Sequence, residues 1–273
     1  LFDLKVTQSA KLAKKREDEQ IDGWKMNLSV TSKKYMDHAN YIGRSRTAKE
    51  GLDFNDNPDL KSPGGFISLT TTQPSWKEDG LGQFTTDIRS KLYRSGLWDI
   101  EVHIKGDKGP FTLSTSMIGE LPKDRSFILF DYSTKDYYDL TGDDSFQFYH
   151  HGESIPYKFK IIEGPPEFIA NQLSEIMRSI PDKFQLHHNY PNPFNPITNI
   201  SYELSEPSRV TITIYDLKGR EVKTIVNEWK QPGYYSTVWN STDDRNNPVS
   251  SGIYFYRMKT NTFHKTLKML LIK

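Results

Sequence analysis

Along Trp98-Asp-Ile-Glu-Val-His-Ile-Lys105 apolar and polar residues alternate strictly: Trp98, Ile100, Val102 and Ile104 against Asp99, Glu101, His103 and Lys105. A period of two marks a half-buried strand, because successive side chains leave a strand on opposite faces. Gly106-Asp-Lys-Gly-Pro110 then turns the chain and Phe111-Thr-Leu-Ser114 begins the next strand, a hairpin pattern. Short runs of the same kind recur at Trp24–Val30, Phe66–Thr70, Phe127–Phe130, Phe146–Tyr149 and Tyr157–Ile162, with no amphipathic helix among them. About seven such strands predict an antiparallel sandwich or jelly roll over 24–163. Ahead of them, Phe2, Leu4 and Val6 alternate with Asp3, Lys5 and Thr7 as a strand would. Lys11–Gln20 is charged and nearly free of core positions, which predicts a solvated linker.

The period changes once. In Pro165–Ile180 the residues Ile169, Leu173, Ile176 and Ile180 recur at helical spacing on one face. Prolines suit the start of such a helix and Pro181 stops it. Its stripe predicts a connector packed on a neighbouring domain, with a partner-binding helix as the sharper alternative. From 182 onward short strands return at Asn199–Leu204, Val210–Leu217, Glu221–Val226, Tyr234–Asn240, Gly252–Lys259 and Thr266–Ile272. Turns every 8–12 positions over about ninety residues have the rhythm of an immunoglobulin-like sandwich. The expected fold is therefore all-β: two antiparallel β-sandwich domains, the first jelly-roll or Ig-like and the second Ig-like, joined by a short helical linker. The divisions fall at 1–23, 24–163, 164–183 and 184–273.

Composition narrows the function more than the fold. The 273 residues carry 36 Lys and Arg against 35 Asp and Glu, a balance that argues against a nucleic-acid binder with its basic stripe. With no cysteine, disulfides, thiolate zinc sites and a cysteine nucleophile are excluded. The hydrophobic share is low at 35%, yet 15 Phe, 15 Tyr and 5 Trp supply large rings suited to filling the gap between sheets. No uninterrupted apolar run approaches the ~18 residues of a membrane-spanning helix. The first residue is Leu1 and no signal peptide precedes it, so a processed or excised portion of a longer protein is expected.

The most specific signals lie near the C-terminus. Asn189-Tyr-Pro-Asn-Pro-Phe-Asn-Pro196 is followed by Ile200–Leu204, Ile214-Tyr-Asp-Leu-Lys-Gly-Arg-Glu-Val222 and Pro232-Gly-Tyr-Tyr235. Trp239, Ser251-Gly-Ile-Tyr-Phe-Tyr-Arg257 and Lys268–Lys273 complete the series. Each has a physical reading. Pro191, Pro193 and Pro196 are expected to hold an extended, polyproline-like path, letting Phe194 plug the core while Asn192 and Asn195 satisfy turn backbone. Asp216–Gly219 reads as a tight hairpin with Gly219 at positive φ. Pro232-Gly233 fits the middle of a type II turn. Trp239 is expected at the core centre and Asp243–Pro248 as a polar hairpin tip.

In this order the motifs resemble the type A C-terminal sorting domain of type IX secretion substrates, which is similar to the Ig-like domain of flagellar hook-capping proteins. The resemblance covers roughly 184–273. The residues that carry it are Asn189, Tyr190, Pro191, Asn192, Pro193, Phe194, Asn195, Pro196, Tyr215, Asp216, Gly219, Gly233, Trp239, Gly252 and Tyr254. Asn246-Asn247 and Asn240-Ser241 stand where the family often has glycine, and Ile197 and Asn199 replace commoner threonines; asparagine tolerates left-handed backbone. The resemblance implies a route: export by signal peptide, then recognition of the folded C-terminal domain by the outer-membrane translocon. In many members a sortase removes that domain, which here would place cleavage about Ser179–His187. More weakly, residues 24–163 resemble the β-sandwich module that often precedes such domains. The carriers are Trp24, Gly51–Phe54, Pro63, Asp87–Arg89, Trp98–Val102, Leu121-Pro122 and Phe130-Asp131.

Candidate chemistry is sparse. The sequence has no G-x-S-x-G, H-E-x-x-H, phosphate loop or G-x-G-x-x-G, so no enzyme is expected. Adjacent histidines, His150-His151 and His187-His188, point oppositely on a strand and rarely form one metal site. Asp53, Asn55, Asn57 and Asp59 copy the alternate-residue oxygen spacing of calcium loops, although Pro58 replaces the needed glycine and position 64 is Gly. A plain polar loop is favoured there, and at the acidic turn of Asp139, Asp143 and Asp144. Flat rings for sugar stacking are available at Tyr132, Tyr137, Tyr138, Tyr149, Trp76 and Trp229. The expectation is a secreted or outer-membrane-surface protein without catalysis, acting in structure, assembly or docking, with the translocon and surface subunits as partners. The alternative is a carbohydrate- or calcium-binding accessory module of a larger secreted hydrolase.

Overall fold

The computed structural model describes residues 23–59, 66–73, 82–93, 95–119, 123–142, 144–152 and 155–273. The strand expected at 2–6, the charged linker, and Pro63, Trp76, Leu121, Pro122 and Asp143 lie outside the described residues. The first eleven strands are β1 (Gly23–Thr31), β2 (Met36–Ser45), β3 (Asn57–Pro58), β4 (Phe66–Thr72), β5 (Gln83–Ser90) and β6 (Gly96–Lys105), then β7 (Gly109–Gly119), β8 (Ser126–Asp131), β9 (Tyr137–Asp139), β10 (Ser145–His150) and β11 (Tyr157–Gly164). They form one sheet in the order β10-β7-β1-β2-β5-β4-β6-β11-β8-β9, with β3 on β5.

The sheet curls until its ends meet. Phe146 and Phe148 on β10 contact Phe159 on β11 at ring distances of 5.9 and 5.6 Å, and Tyr138 on β9 lies 4.3 Å from Phe146. The core inside is closed by Trp24, Trp98 and Phe127, with Trp24 edge-on to both others at 5.8 and 4.8 Å. Edge-to-face contact sets the electropositive rim of one ring on the electronegative face of the next. Two points correct the sandwich expected over 24–163. One continuous curled sheet replaces two facing sheets, and β2 pairs with β5 in parallel, Tyr41 opposite Thr86 through Ser45 opposite Ser90. Alternation fixes which face of a strand is buried and leaves its partner open, so neither feature could be read from it.

Helix α1 (Pro166–Ser179) follows β11 directly, with a proline at its start. Alternate residues of β8 face opposite ways: Phe127 and Leu129 join the inner core, whereas Ile128 and Phe130 turn outward and receive Ile169, Ile176 and Ile180. The helix therefore packs on the outer face of the curled sheet, as a connector.

The remaining strands are β12 (Gln185–Leu186), β13 (Thr198–Leu204), β14 (Ser208–Tyr215), β15 (Glu221–Lys230), β16 (Gly233–Trp239), β17 (Gly252–Lys259) and β18 (His264–Leu271). They form a three-stranded sheet, β12-β13-β16, and a four-stranded one, β15-β14-β17-β18. Ile200, Tyr202 and Leu204 from the first meet Val210, Ile212, Ile214, Tyr256 and Met258 from the second in one core. All pairings in both sheets are antiparallel.

Candidate functional site

Apart from Gly233, which pairs with Leu204 at the far end of β16, the motif residues gather at one end of the second core. Phe194 is 3% exposed and lies 5.7 Å from the ring of Trp239, which is fully buried and edge-on to Tyr254 at 5.1 Å. Burying a phenylalanine contributes about 1.5–3 kcal/mol, and this one also carries backbone. Its N–H donates to Leu270 O and its carbonyl accepts from Ile272 N, both at 3.0 Å, so the motif loop pairs with the last strand. Asn192 adds to this seam, its Oδ1 accepting from Leu270 N at 3.0 Å. Asn189 is buried: its Nδ2 donates to Pro191 O and Thr198 Oγ1, and its N–H to the Tyr256 hydroxyl. Tyr190 is 80% exposed and joins the fold through a backbone bridge to Asn199. Asn195 is exposed.

Two expectations for the motifs are corrected. Residues 191–196 run as a series of bends, with cis bonds before Pro191, Pro193 and Pro196, in place of an extended polyproline-like path. Gly233 opens β16 at φ 154°, far from the ~80° of a type II turn, because its backbone already pairs with Leu204. Elsewhere turn chemistry is local. Gly219 sits at φ 76° and donates to Asp216 O at 3.0 Å, while Asp216 Oδ1 accepts from Lys218 N and Arg220 N at 2.8 and 2.9 Å. These bonds hold the Asp216 carboxyl below its ordinary pKa. At the tip Asn246 takes φ 61°, and of the pair Asn240-Ser241 it is Ser241, at φ 59°, that is left-handed. Lys223 binds this tip through Thr242 Oγ1, Asp243 O and Asn246 Oδ1 at 2.8–3.1 Å, a role that no local pattern around it signals. Trp239 Nε1 donates to Thr242 O at 2.9 Å and the Tyr254 hydroxyl to Ser250 O at 2.8 Å. Gly252 opens β17, and Tyr215 lies on the outer face under the Arg257 guanidinium at 5.0 Å.

The upstream unit buries charge. Arg44, 1% exposed, pairs with the fully buried Glu163 at 2.9 Å and donates to Ser90 O at 2.6 Å; Arg125 holds the other Glu163 oxygen. Arg89 pairs with Asp87 through two 3.0 Å bonds and lies 4.6 Å over Trp98. Leaving one partner of such a pair alone costs about 3–5 kcal/mol, so loss of either partner would loosen this core. His103 is hydrogen-bonded to Glu101 at 3.2 Å, and this bond leads the causes that lower the Glu101 pKa to about 2.

The calcium-like positions are not gathered into a cage. Asp53 accepts from Lys49 N at 2.7 Å and from Asn55 N and Nδ2 at 2.7 and 2.9 Å, so turn bonds occupy both its oxygens. Asn57 lies on β3, and Asp59 accepts from the Ser68 hydroxyl at 3.2 Å. The polar residue that points inward from this loop is Asp56, which the alternate-residue pattern skips. Its oxygens accept from Asp53 N and Ile88 N at 2.9 and 3.0 Å, yet burial holds its pKa up at about 6. At the other acidic turn, Asp139 accepts from Thr141 N at 2.8 Å and Asp144 from Ser145 N at 2.7 Å. Among the described residues no group of three or more His, Asp or Glu is placed to hold a metal ion. Of the rings considered for sugar stacking, Tyr138, Tyr149 and Trp229 line one cleft, while Tyr132 packs edge-on to Phe130 at 5.1 Å.

Two antiparallel sheets closed over one core, with a motif loop locking the last strand, define an immunoglobulin-like β unit. Residues 195–262 match the FlgD Ig-like domain family. No curated protein matches the chain. Among solved structures it is similar to PorZ, an essential bacterial surface component of the type IX secretion system of Porphyromonas gingivalis, at 18% identity and a TM-score of 0.25 over 41% of this chain. It is also similar to dimeric latent PorU from P. gingivalis, at 11% identity and 0.28 over 92%. A third is the adhesin domain of Epf from Streptococcus pyogenes, at 8% identity and 0.25 over 90% of this chain and 91% of that one. The chain spans 14% of the length of the PorZ structure and 30% of the PorU structure. Among the described residues no helix is long and apolar enough to cross a membrane.

Proposed function

We propose that this is a non-enzymatic protein of the cell surface or extracellular space, delivered by type IX secretion. Residues 184–273 are its sorting domain and 24–163 a structural or docking unit. The observation that carries the reading is that the FlgD Ig-like match at 195–262 falls on the segment bearing the ordered sorting motifs. Supporting it, the motif residues other than Gly233 are engaged in building one end of that unit. Phe194 and Asn192 clasp Leu270 and Ile272, so the last strand and the proline-rich loop form one continuous surface. A translocon that recognises a folded domain would meet this surface as a unit, since the loop is hydrogen-bonded to the strand.

The buried ion pairs upstream serve the docking role by fixing a rigid frame. Capture of the native protein from intact cells tests that role: a stable stoichiometric complex with other surface subunits is expected. A protein recovered only from the cytoplasm, or at the surface with no partner, contradicts it.

A further inference from the structure

A cleft of about 770 Å³ opens between the curled sheet and the Ig-like unit, inside the range of roughly 300–1,000 Å³ typical of small-ligand sites. One wall is aromatic and comes from β9, β10 and β11: Tyr138, Phe148, Tyr149 and Tyr157. Tyr149 is 55% exposed, and its carbonyl accepts the Tyr157 hydroxyl at 2.7 Å. The facing wall presents Trp229 and Gln231 from the end of β15, with Glu206 and Asn261 from turns beside it. Gln231 Nε2 crosses the cleft to Pro156 O at 2.5 Å, and its Oε1 is buried with no hydrogen-bond partner.

We infer that this cleft binds a neutral oligosaccharide. Among the described residues lining it there is no lysine or arginine and one histidine, His151, whereas Asp131 and Glu206 are present, so a phosphate or carboxylate ligand would face two carboxyls and no ammonium or guanidinium group. Half-exposed rings on opposing walls suit the flat C–H faces of a pyranose. The polar groups both donate and accept, the side-chain amides of Gln147, Gln231 and Asn261 and the hydroxyls of Ser133 and Thr134 beside the Glu206 carboxylate, and sugar hydroxyls, which also do both, match such a mixed lining. A proline-rich peptide, the other ligand that favours aromatic grooves, has few N–H groups to offer the Glu206 carboxylate. The inference does not depend on the sorting-domain reading and can fail without it.

Calorimetric titration of the whole chain with cellotriose, xylotriose, maltotriose and chitotriose, beside decaproline, tests it. At least one trisaccharide is expected to bind. Tyr149→Ala and Trp229→Ala should each weaken that binding about tenfold, the equivalent of 1.4 kcal/mol per ring. Trp229→Phe, which keeps a flat ring, should restore most of it, and Tyr234→Ala, an exposed ring outside the cleft, should leave it unchanged. Circular dichroism checks that the variants are folded. Binding of none of the sugars, binding that survives either alanine variant, or binding of decaproline alone overturns the assignment.

Discussion

Asp56 shows how a single buried carboxyl sets a pH dependence. It is 7% exposed, and desolvation outweighs the two N–H groups it accepts, with Asp87 and Asp53 nearby adding repulsion. Its pKa rises from an ordinary 3.8 to about 6. Between those values the folded chain binds a proton that the unfolded chain releases. Its contribution to stability is therefore present below pH 3.8 and lost as pH rises toward 6. Asp56→Asn cannot ionise. In urea unfolding of the upstream unit, the wild type should lose ground relative to this variant between pH 4 and pH 7; a constant difference would contradict the burial argument. At this scale the sequence was legible wherever a residue acts on its own neighbours, as Asp216 and Gly219 do in their turn. It was illegible for Arg44 and Glu163, which stand 119 positions apart, and for Asp56, whose second donor, Ile88, is 32 positions away.

Elements divide the same way. Strands whose buried faces are apolar, such as β1 with Trp24, Met26, Leu28 and Val30 inward, stand out by their period. β2 and β5 do not, because they bury Asn40, Arg44, Thr86, Asp87 and Arg89, so their inward positions read as surface. These hidden strands form the parallel pair that sets the topology apart from a sandwich. Helix α1 was legible because its stripe is purely aliphatic. Ile176, 8% exposed, packs on the outer face of β8 and β11. Ile176→Ala should therefore lower the upstream unit's unfolding free energy by about 2 kcal/mol, the low end for such truncations because the site lies at the edge of its cluster. Chemical denaturation reads this directly. An unchanged midpoint would mean that the stripe is not a packing face.

At the scale of the molecule, two cores built from different sheet designs are joined by one helix and share a cleft. Without a disulfide, each rests on aromatic packing: Trp24, Trp98 and Phe127 in one, Phe194, Trp239 and Tyr254 in the other. The second unit was the more legible because several of its motifs are turns that close on their own neighbours, as Asp216–Gly219 does. The curled sheet was legible only as strands, since its closure depends on Phe146 and Phe148 meeting Phe159 across distant sequence. The central claim is that residues 184–273 direct this chain through type IX secretion. It is tested most directly by producing the chain behind a signal peptide in a bacterium with that system, intact or ending at residue 183, and probing both forms with protease on whole cells. The account predicts that the intact chain reaches the surface or the medium while the shortened chain stays in the periplasm. Equal surface exposure of the two forms would contradict it.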